Sequence, residues 1–353
     1  MASFNKGDVS EGILAAAITA RFQAKTKRIS NDDVLNLIKK LGKPSKFKNF
    51  MLIEKTFDSP NKNLKIIDEV ICKITLAEIN MNALLNAKTY TDKEIKELVT
   101  AAVAYANGTN IMEWADMMYN NNQKNKIEVK SEGLLDQTGT KVDLRVIIDG
   151  TQAGVGVSLK AGDVKQFGQV GGATSNAMNE FFNPLGVKFS SKNLKDFETL
   201  VSQKEVTEAL CLAYKEAYKQ IKELIKSDSL AFKKNISNFM KFHATRNEPN
   251  VALVQLSKNE ANVYNFDNIQ KKLKGIELDV VYSEAGTDVV KGKKIPQLKI
   301  ISPTLTKDNI LLQLRNKLEG NRVNSKGKKV GLTVRNYVEK GHLTTQLLAE
   351  TQK

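Results

Sequence analysis

The first part of the chain carries apolar residues at the spacing of an α-helix. The run begins after a capping residue, Asp8 or Ser10, and continues to about Ala24. Its apolar positions are Ile13, Leu14, Ala17, Ile18 and Phe22. This spacing predicts an amphipathic helix whose apolar stripe packs against the rest of the fold. Further helical patterns, broken at Pro44 and Pro60, predict that residues 29–125 are mainly helical.

The middle of the chain changes to the pattern of β-strands. An apolar run at 127–129 predicts a first strand. Two longer runs, 142–148 and 154–159, flank a turn at Asp149-Gly150 and together predict a β-hairpin. A sheet is therefore predicted at the centre of the chain.

The rest of the chain alternates helical patterns with short β-rich runs. Helices are predicted at 205–225, 230–243 and 308–318. Strands are predicted at 251–255, 260–264, 278–282, 298–301 and 329–338. The whole pattern predicts a mixed α/β fold in which helices flank a central mixed sheet. We predict a core at residues 1–250 and a β-rich, basic region at 251–353, which can belong to the same domain.

The charge of the chain favours a polyanionic partner. Among its 353 residues, 54 Lys and Arg outnumber 39 Asp and Glu, and the formal net charge is +15. Nucleic acid is the polyanion that such a charge would attract. The alternative is a basic balance that only keeps the protein in solution.

Composition also argues against several kinds of chemistry. His243 and His342 are the two histidines, which is too few for a multi-histidine zinc site and argues against a histidine-based triad. Cys72 and Cys211 lie in apolar, helical patterns, so we expect small buried side chains and no disulfide framework. No apolar run reaches 18 residues and the N-terminus is polar, so we expect an intracellular, cytoplasmic protein without a membrane partner.

Candidate chemistry lies on the predicted hairpin. Asp143 stands near the start of the first strand and Lys160 at the end of the second. Because side chains alternate along a strand, Ser158 and Lys160 would share a face and point toward Asp143. A carboxylate beside a lysine can hold a divalent metal next to a water molecule, which is the minimum machinery for hydrolysing a phosphodiester.

These residues resemble the motif of the PD-(D/E)XK nuclease superfamily. Asp143 matches the strand aspartate, and Ser158 and Lys160 match the ends of the acidic-x-Lys triplet. Glu11 matches the glutamate that relatives often carry on a preceding helix. The matching stretches make up less than a sixth of the chain. The resemblance implies a restriction-endonuclease-like fold, Mg²⁺ or Mn²⁺ held by Asp143 and Glu11, and a nucleophile oriented by Lys160.

Ser158 departs from the family pattern, because relatives usually carry Glu or Asp at its position. A second carboxylate must then come from Glu11, from Glu180 after the motif or from Asp163 in the loop. Some restriction enzymes of the family have Ser here and take the missing carboxylate from a following helix. We favour Glu11, because the apolar stripe of its helix should pack it beside the sheet.

Gln166 and Gln169 follow the hairpin on a predicted helix, where a spacing of three puts them on one face. In exonuclease-like members of the family a glutamine in this position lies close to the active site. The resemblance implies the same catalytic neighbourhood here. The alternative is a polar helix surface near a turn.

A basic segment near the C-terminus supplies candidate contacts to nucleic acid. It surrounds the loop GNRVNSKGKK at 320–329. The candidates are Arg315, Arg322, Lys326, Lys328, Lys329 and Arg335. Charge and glycines suit an element that follows a phosphate backbone. A solvated surface loop is the alternative.

The sequence thus favours a Mg²⁺-dependent DNA endonuclease of the restriction-like type. One alternative is a nucleic-acid-binding protein of the same fold with a degraded site, and Ser158 is its main support. A second is a structural or assembly protein whose strands merely carry Asp and Lys. DNA is the expected partner, and a homodimer is left open.

Overall fold

The chain folds into two compact units, each of which combines helices with a β-sheet, so the mixed α/β class is confirmed. The first unit contains Met1–Val164, Thr245–Asn265 and Glu350–Lys353, and the second contains Lys165–Ala244 and Phe266–Ala349. The computed structural model describes residues 6–24, 28–41, 50–58, 69–77, 80, 83–84, 93–108, 126–131, 142–148, 156–266, 269–287, 294–305, 309–319, 322–323, 329–330 and 333–353.

The helices of the described residues are named in chain order. They are α1 (Lys6–Gln23), α2 (Asn31–Leu41), α3 (Lys93–Ala106), α4 (Ser175–Phe182), α5 (Ser191–Ser202), α6 (Val206–Ser227), α7 (Ser229–Thr245), α8 (Ile269–Lys272) and α9 (His342–Leu348). A short 3-10 turn, Asn183–Leu185, follows α4.

The strands are named in the same way. They are β1 (Phe50–Asp58), β2 (Glu69–Ala77), β3 (Lys126–Ser131), β4 (Leu144–Ile148), β5 (Gly156–Ala161), β6 (Gln166–Gly171), β7 (Val251–Ser257), β8 (Glu260–Tyr264), β9 (Asp279–Thr287), β10 (Lys294–Ile301), β11 (Ile310–Glu319), β12 (Arg322–Val323), β13 (Lys329–Val330), β14 (Thr333–Lys340) and β15 (Ala349–Gln352).

Eight strands form the sheet of the first unit, in the order β1-β2-β3-β4-β5-β7-β8-β15. The pairs β2–β3 and β5–β7 are parallel, whereas β1–β2, β3–β4, β4–β5 and β7–β8 are antiparallel. In the antiparallel pair β4–β5, Leu144 lies opposite Val157. The predicted hairpin is therefore confirmed, and the sheet is mixed.

Helix α1 is buried along most of its length and packs on β2, β3 and β5 of this sheet and on α3. Its middle is rich in alanine, and these small side chains let the helix approach its neighbours closely. At Gly12, an added Cβ would lie 2.6 Å from Cδ1 of Leu84. Buried residues lie on every side of α1, with Ser10, Thr19 and Arg21 among the apolar ones, so α1 is an interior helix rather than one with a single apolar stripe.

A five-stranded antiparallel sheet, in the order β6-β14-β11-β10-β9, forms the centre of the second unit. The long helix α6 packs on β9 and β10. At the other edge, a Cβ added to Gly168 of β6 would lie 2.3 Å from the carbonyl oxygen of His243 on α7. Glycine at this position therefore permits the close approach of α7 to β6.

Part of the region predicted to be helical is β-structure. Within residues 29–125, α2 and α3 are helical, but β1 and β2 form an antiparallel pair. Ile74 and Leu76 of β2 are completely buried and alternate along the strand. The helical prediction is wrong here because a short apolar run fits both periods, and the β-branched residues of β2 favour a strand. Cys72 accordingly lies in a strand.

Two more predicted helices are strands. The helix predicted at 308–318 is wrong, because the strand β11 occupies Ile310–Glu319. Gln166 and Gln169 lie on β6, which pairs with β14, rather than on a helix. Cross-strand pairing decides both cases, and local spacing does not reveal it.

The structure divides the chain at positions other than residue 250. Strands β7 and β8 belong to the first unit, whereas β9, β10, β11 and β14 belong to the second. The strands predicted at 251–255, 260–264, 278–282 and 298–301 are confirmed, apart from small shifts at their ends. Parallel pairing of β7 with β5 joins residues that are almost a hundred positions apart, so the boundary does not follow chain order.

Candidate active site

Glu11 lies in α1 and is held by a buried asparagine. Asn80 is completely buried and donates from Nδ2 to Oε2 of Glu11 at 2.8 Å. The same Nδ2 donates to the carbonyl oxygen of Asp8 at 3.1 Å, and the hydroxyl of Ser131 donates to Oδ1 of Asn80 at 2.9 Å. One amide thus connects α1 to the end of β3 and fixes the Glu11 carboxylate.

Asp143 stands immediately before β4 and is attached to β5 at two points. Its backbone N–H donates to the carbonyl oxygen of Val157 at 2.8 Å. Its side-chain Oδ2 accepts from the backbone N–H of Leu159 at 2.5 Å. The carboxylate is therefore bonded to the backbone of the neighbouring strand, and this bond fixes its orientation.

Lys160 follows Leu159 on β5 and is half-buried. Its Nζ donates to the carbonyl oxygen of Leu159 at 3.2 Å. The ammonium group thus bonds the carbonyl oxygen of the same residue whose N–H is bonded to Asp143. Leu159 of β5 thus contacts both charged groups, because its N–H bonds the Asp143 carboxylate and its carbonyl oxygen accepts from the Lys160 ammonium group.

The charges of these three residues act on one another. The pKa of Glu11 is raised to about 8, first because the side chain is largely removed from water and then because Asp143 repels its charge. Asp8 raises it further, while the hydrogen bond from Asn80 and the positive charge of Lys160 lower it. The charges of Asp143 and Lys160 thus both reach the Glu11 carboxyl, which connects the three residues electrostatically within the first unit.

Ser158 is not part of this group. It is 1% exposed, and its Oγ has no hydrogen-bond partner in the part of the chain that the structure describes. Val157 and Leu159, its neighbours on β5, belong to the apolar core that contains α1. Since side chains alternate along a strand, Ser158 points, like Lys160, to the opposite face from that core, but its hydroxyl makes no hydrogen bond to the charged groups of the site.

The alternative acids lie elsewhere. Asp163 accepts a hydrogen bond from the hydroxyl of Ser257 at 2.6 Å and forms an ion pair with Lys258 at 3.1 Å. Glu180 is an exposed residue of α4 in the second unit. Glu11 is an acid of the first unit whose pKa responds to the charges of Asp143 and Lys160.

The second unit contains the remaining candidates. Gln166 donates to Gln169 at 3.2 Å, and Arg335 donates to the same Oε1 at 3.4 Å. Arg315 lies on β11 and Arg335 on β14. Arg322 and Lys329 lie in the short strands β12 and β13, while Lys326 and Lys328 fall outside the described residues.

The first-unit site suits a hard divalent cation. Such cations prefer carboxylate oxygens, and Glu11 and Asp143 bring two carboxylates into mutual repulsion. Because burial and the charge of Asp143 raise the pKa of Glu11 to about 8, a cation bound beside the two carboxylates would favour the ionised form of Glu11. Over the described residues, no group of three His, Cys, Asp or Glu side chains is arranged to hold a metal ion.

Asn80 and Ser131 were missed by sequence reasoning. Asn80 stands between Ile79 and Met81, but Asn82 follows directly, so its residue type alone did not single it out. Ser131 ends β3 and gave no signal of its own. Their role becomes visible only when β2, β3 and α1 meet.

Comparison with protein-family models, with curated proteins and with solved structures gave no match. The PD-(D/E)XK resemblance therefore rests on the residues of the site itself. Across the described part of the chain, none of the helices has the length and apolar character needed to cross a membrane.

Proposed function

We propose that the protein is a metal-dependent nuclease that hydrolyses phosphodiester bonds of DNA. The observation that carries the proposal is the electrostatic coupling of Glu11 to Asp143 and Lys160. These residues come from a helix, a strand entry and a strand end that are far apart in the chain. Two carboxylates beside a lysine are the groups that such hydrolysis needs.

Glu11 and Asp143 would hold Mg²⁺ or Mn²⁺. When bound, the metal supplies a water of lowered pKa and positive charge for the phosphate oxygens. Asp143 is oriented for this by the N–H of Leu159, and Glu11 by Asn80. Lys160 would orient the attacking water and offset the negative charge that develops on the phosphate.

DNA is the partner that the charge of the chain supports. A net charge of +15 attracts a polyanion, and association with it should weaken as salt rises. Arg315 and Arg335 of the second unit add cations in a sheet, and the candidate lysines at 326, 328 and 329 add more in the neighbouring sequence. The predicted cleavage is endonucleolytic, as in restriction-like enzymes.

Binding of DNA without cleavage is the second candidate, because Ser158 is where relatives carry an acid. The site has two carboxylates instead of three, and the buried Ser158 hydroxyl makes no hydrogen bond to either of them. A pair of carboxylates is a weaker metal site than a triplet. The second candidate differs from the first in metal affinity, so the two can be separated by measurement.

The test is a cleavage assay with purified full-length protein on supercoiled plasmid, linear duplex and single-stranded DNA, with Mg²⁺, Mn²⁺ or EDTA. We expect nicked and linear plasmid with either metal and intact plasmid in EDTA. Isothermal titration of Mg²⁺ and Mn²⁺ should show binding that Asp143→Asn removes. Intact DNA in all conditions, together with no detectable metal binding, would reject the nuclease and favour DNA binding without cleavage.

A further inference from the structure

The sheet of the second unit has one apolar face and one polar face. Leu298, Leu314 and Val338 form a completely buried cross-strand row on the apolar face, the side on which α6 packs. Arg315 lies one position along β11 from Leu314, so it points to the other side. We name the side of β10, β11 and β14 that carries Arg315 the outer face.

Cations dominate the outer face. The strand register places four cations on it, Lys299 of β10, Arg315 and Lys317 of β11, and Arg335 of β14, together with two acidic positions, Glu319 and Glu339. The Arg315 side chain is 40% exposed, and Lys317 is exposed. The outer face therefore presents a positive surface to solvent over three adjacent strands.

Two of these cations stand directly opposite each other. Lys317 of β11 and Arg335 of β14 are cross-strand partners. Like charges in this position destabilise a sheet, whereas an anion bound between them offsets the repulsion. A surface that places a lysine opposite an arginine is therefore suited to an anionic ligand.

The polar side chains of the outer face are held in place by one another. Gln313 donates to Gln297 at 2.7 Å, and Arg335 donates to Gln169 of the adjacent strand β6 at 3.4 Å. Strand register puts each partner of these two bonds on the same side of the sheet.

Arg315 is fixed as well. It forms an ion pair with Glu339 at 2.6 Å, and its guanidinium lies 5.1 Å from the ring centre of Tyr337. Fixed donors lose little side-chain entropy when they bind a ligand. The outer face is therefore a prearranged set of cations and amides, and not a collection of solvated lysines.

We propose that the outer face binds the phosphate backbone of DNA. Cations and amide donors spread over several strands match a long polyanion, since phosphate oxygens accept from Arg, Lys and Gln side chains. A small anion would need one enclosed site instead. The proposal rests on the proposed function for the choice of DNA, but it concerns binding and does not require cleavage. It places the main contact on the sheet rather than on the loop at 320–329.

The test measures binding of a fluorescent 30-base-pair duplex by full-length protein in EDTA, at several salt concentrations. The variant combines Lys299→Gln, Lys317→Gln and Arg335→Gln, and its matched control combines Lys192→Gln, Lys195→Gln and Lys219→Gln, three exposed lysines of helices α5 and α6. If each lost cation contacted one phosphate, the slope of log affinity against log salt should fall by about three in the outer-face variant. The control should keep the wild-type slope.

Equal slopes for both variants would overturn the proposal, and so would absence of duplex binding by the wild-type protein. Tighter binding of a duplex RNA of the same sequence would overturn the choice of DNA. A wild-type protein that binds but does not cleave, with a reduced slope in the outer-face variant, would support the proposal while removing the nuclease. Cleavage by the wild-type protein, together with an unchanged salt slope in the outer-face variant, would support the nuclease and overturn the proposal for the outer face.

Discussion

Asn80 donates its amide to the carboxylate of Glu11 across 2.8 Å, inside the first unit. A hydrogen bond to the charged form of an acid lowers its pKa, whereas burial and the charge of Asp143 raise that of Glu11. The pKa of about 8 is the balance of these effects. Asn80 is therefore a positioning residue that also sets the pH at which Glu11 ionises.

Replacing the amide should shift this balance. In Asn80→Leu, Glu11 loses its donor while the repulsion from Asp143 stays, so we expect its pKa to rise above about 8. Carbon-13 NMR titration of the Glu11 carboxyl in the absence of metal would measure the shift. The pH at which cleavage reaches half its maximum should move upward in parallel.

Ser131→Ala is the matched control for this experiment. Ser131 donates to Oδ1 of Asn80, and no bond to Glu11 is made by its hydroxyl. The loss of one buried hydrogen bond should cost about 1 kcal/mol of stability and leave the Glu11 pKa close to its wild-type value. An unchanged Glu11 pKa in Asn80→Leu would mean that the amide only supports the fold.

The pH dependence of stability should reveal Glu11 directly. Its folded pKa, about 8, lies above the ordinary value of 4.5, so the folded state binds the proton more tightly than the unfolded state. Stability from this group is therefore complete below about pH 4.5 and is lost as pH rises toward 8. The free energy of unfolding of Glu11→Gln should equal that of the wild type at pH 4 and exceed it at pH 9 by up to about 5 kcal/mol. This follows because a tenfold change in proton affinity corresponds to about 1.4 kcal/mol.

Urea unfolding without divalent metal, at pH 4 and pH 9, would measure this difference. Glu180→Gln removes an exposed acid of α4 and should show no such change between the two pH values. A Glu11→Gln variant that is less stable than the wild type at pH 9 would contradict a raised pKa. Added Mg²⁺ should raise the stability of the wild type more than that of Glu11→Gln.

Local pattern predicted most elements of this fold but not the strands whose residues also suit a helix. In β11, leucines at 314 and 318 fit a helical period, and lysine and leucine are good helix formers. Pairing with β10 and β14 determines the strand, and pairing is not a property of the local sequence. The same holds for β2, whose partners β1 and β3 lie at a distance in the chain.

The site could be predicted in part, because three of its residues carry recognisable chemistry. Asp143 and Lys160 follow from their positions on the predicted hairpin and Glu11 from the family resemblance, and the pKa of Glu11 responds to the charges of the other two. Ser158 was expected to point toward Asp143, but the aspartate instead bonds the peptide N–H of Leu159. Backbone contacts of this kind leave no trace in residue type.

Substitutions at the hairpin should abolish cleavage without unfolding the protein. Asp143→Asn removes a metal-binding charge but keeps an oxygen that can accept from Leu159, and Lys160→Ala removes the ammonium group. We expect cleavage to fall on the order of 100-fold or more in each variant, while duplex binding in EDTA stays close to wild type.

Asp163→Asn is the control for these variants, because Asp163 is an exposed acid of the same unit that pairs with Lys258. It should cleave at the wild-type rate. Normal cleavage by Asp143→Asn or by Lys160→Ala would remove the proposed site, and loss of cleavage in Asp163→Asn as well would point to a general effect of charge.

Ser158 provides the last prediction, because the family pattern and the structure lead to different expectations. If Ser158 replaced the missing acid, Ser158→Ala would reduce cleavage and Ser158→Glu would preserve or increase it. In the structure its Oγ is buried and has no hydrogen-bond partner among the described residues, so the hydroxyl contributes no bond that Ala would lose. We therefore expect Ser158→Ala to keep wild-type cleavage and to change stability by less than about 1 kcal/mol.

Ser158→Glu should destabilise the fold by several kcal/mol, because a carboxylate at this position would be buried without a partner. Urea unfolding and the plasmid assay on both variants would measure these effects, and a fully folded, more active Ser158→Glu would show that position 158 reaches the metal after all.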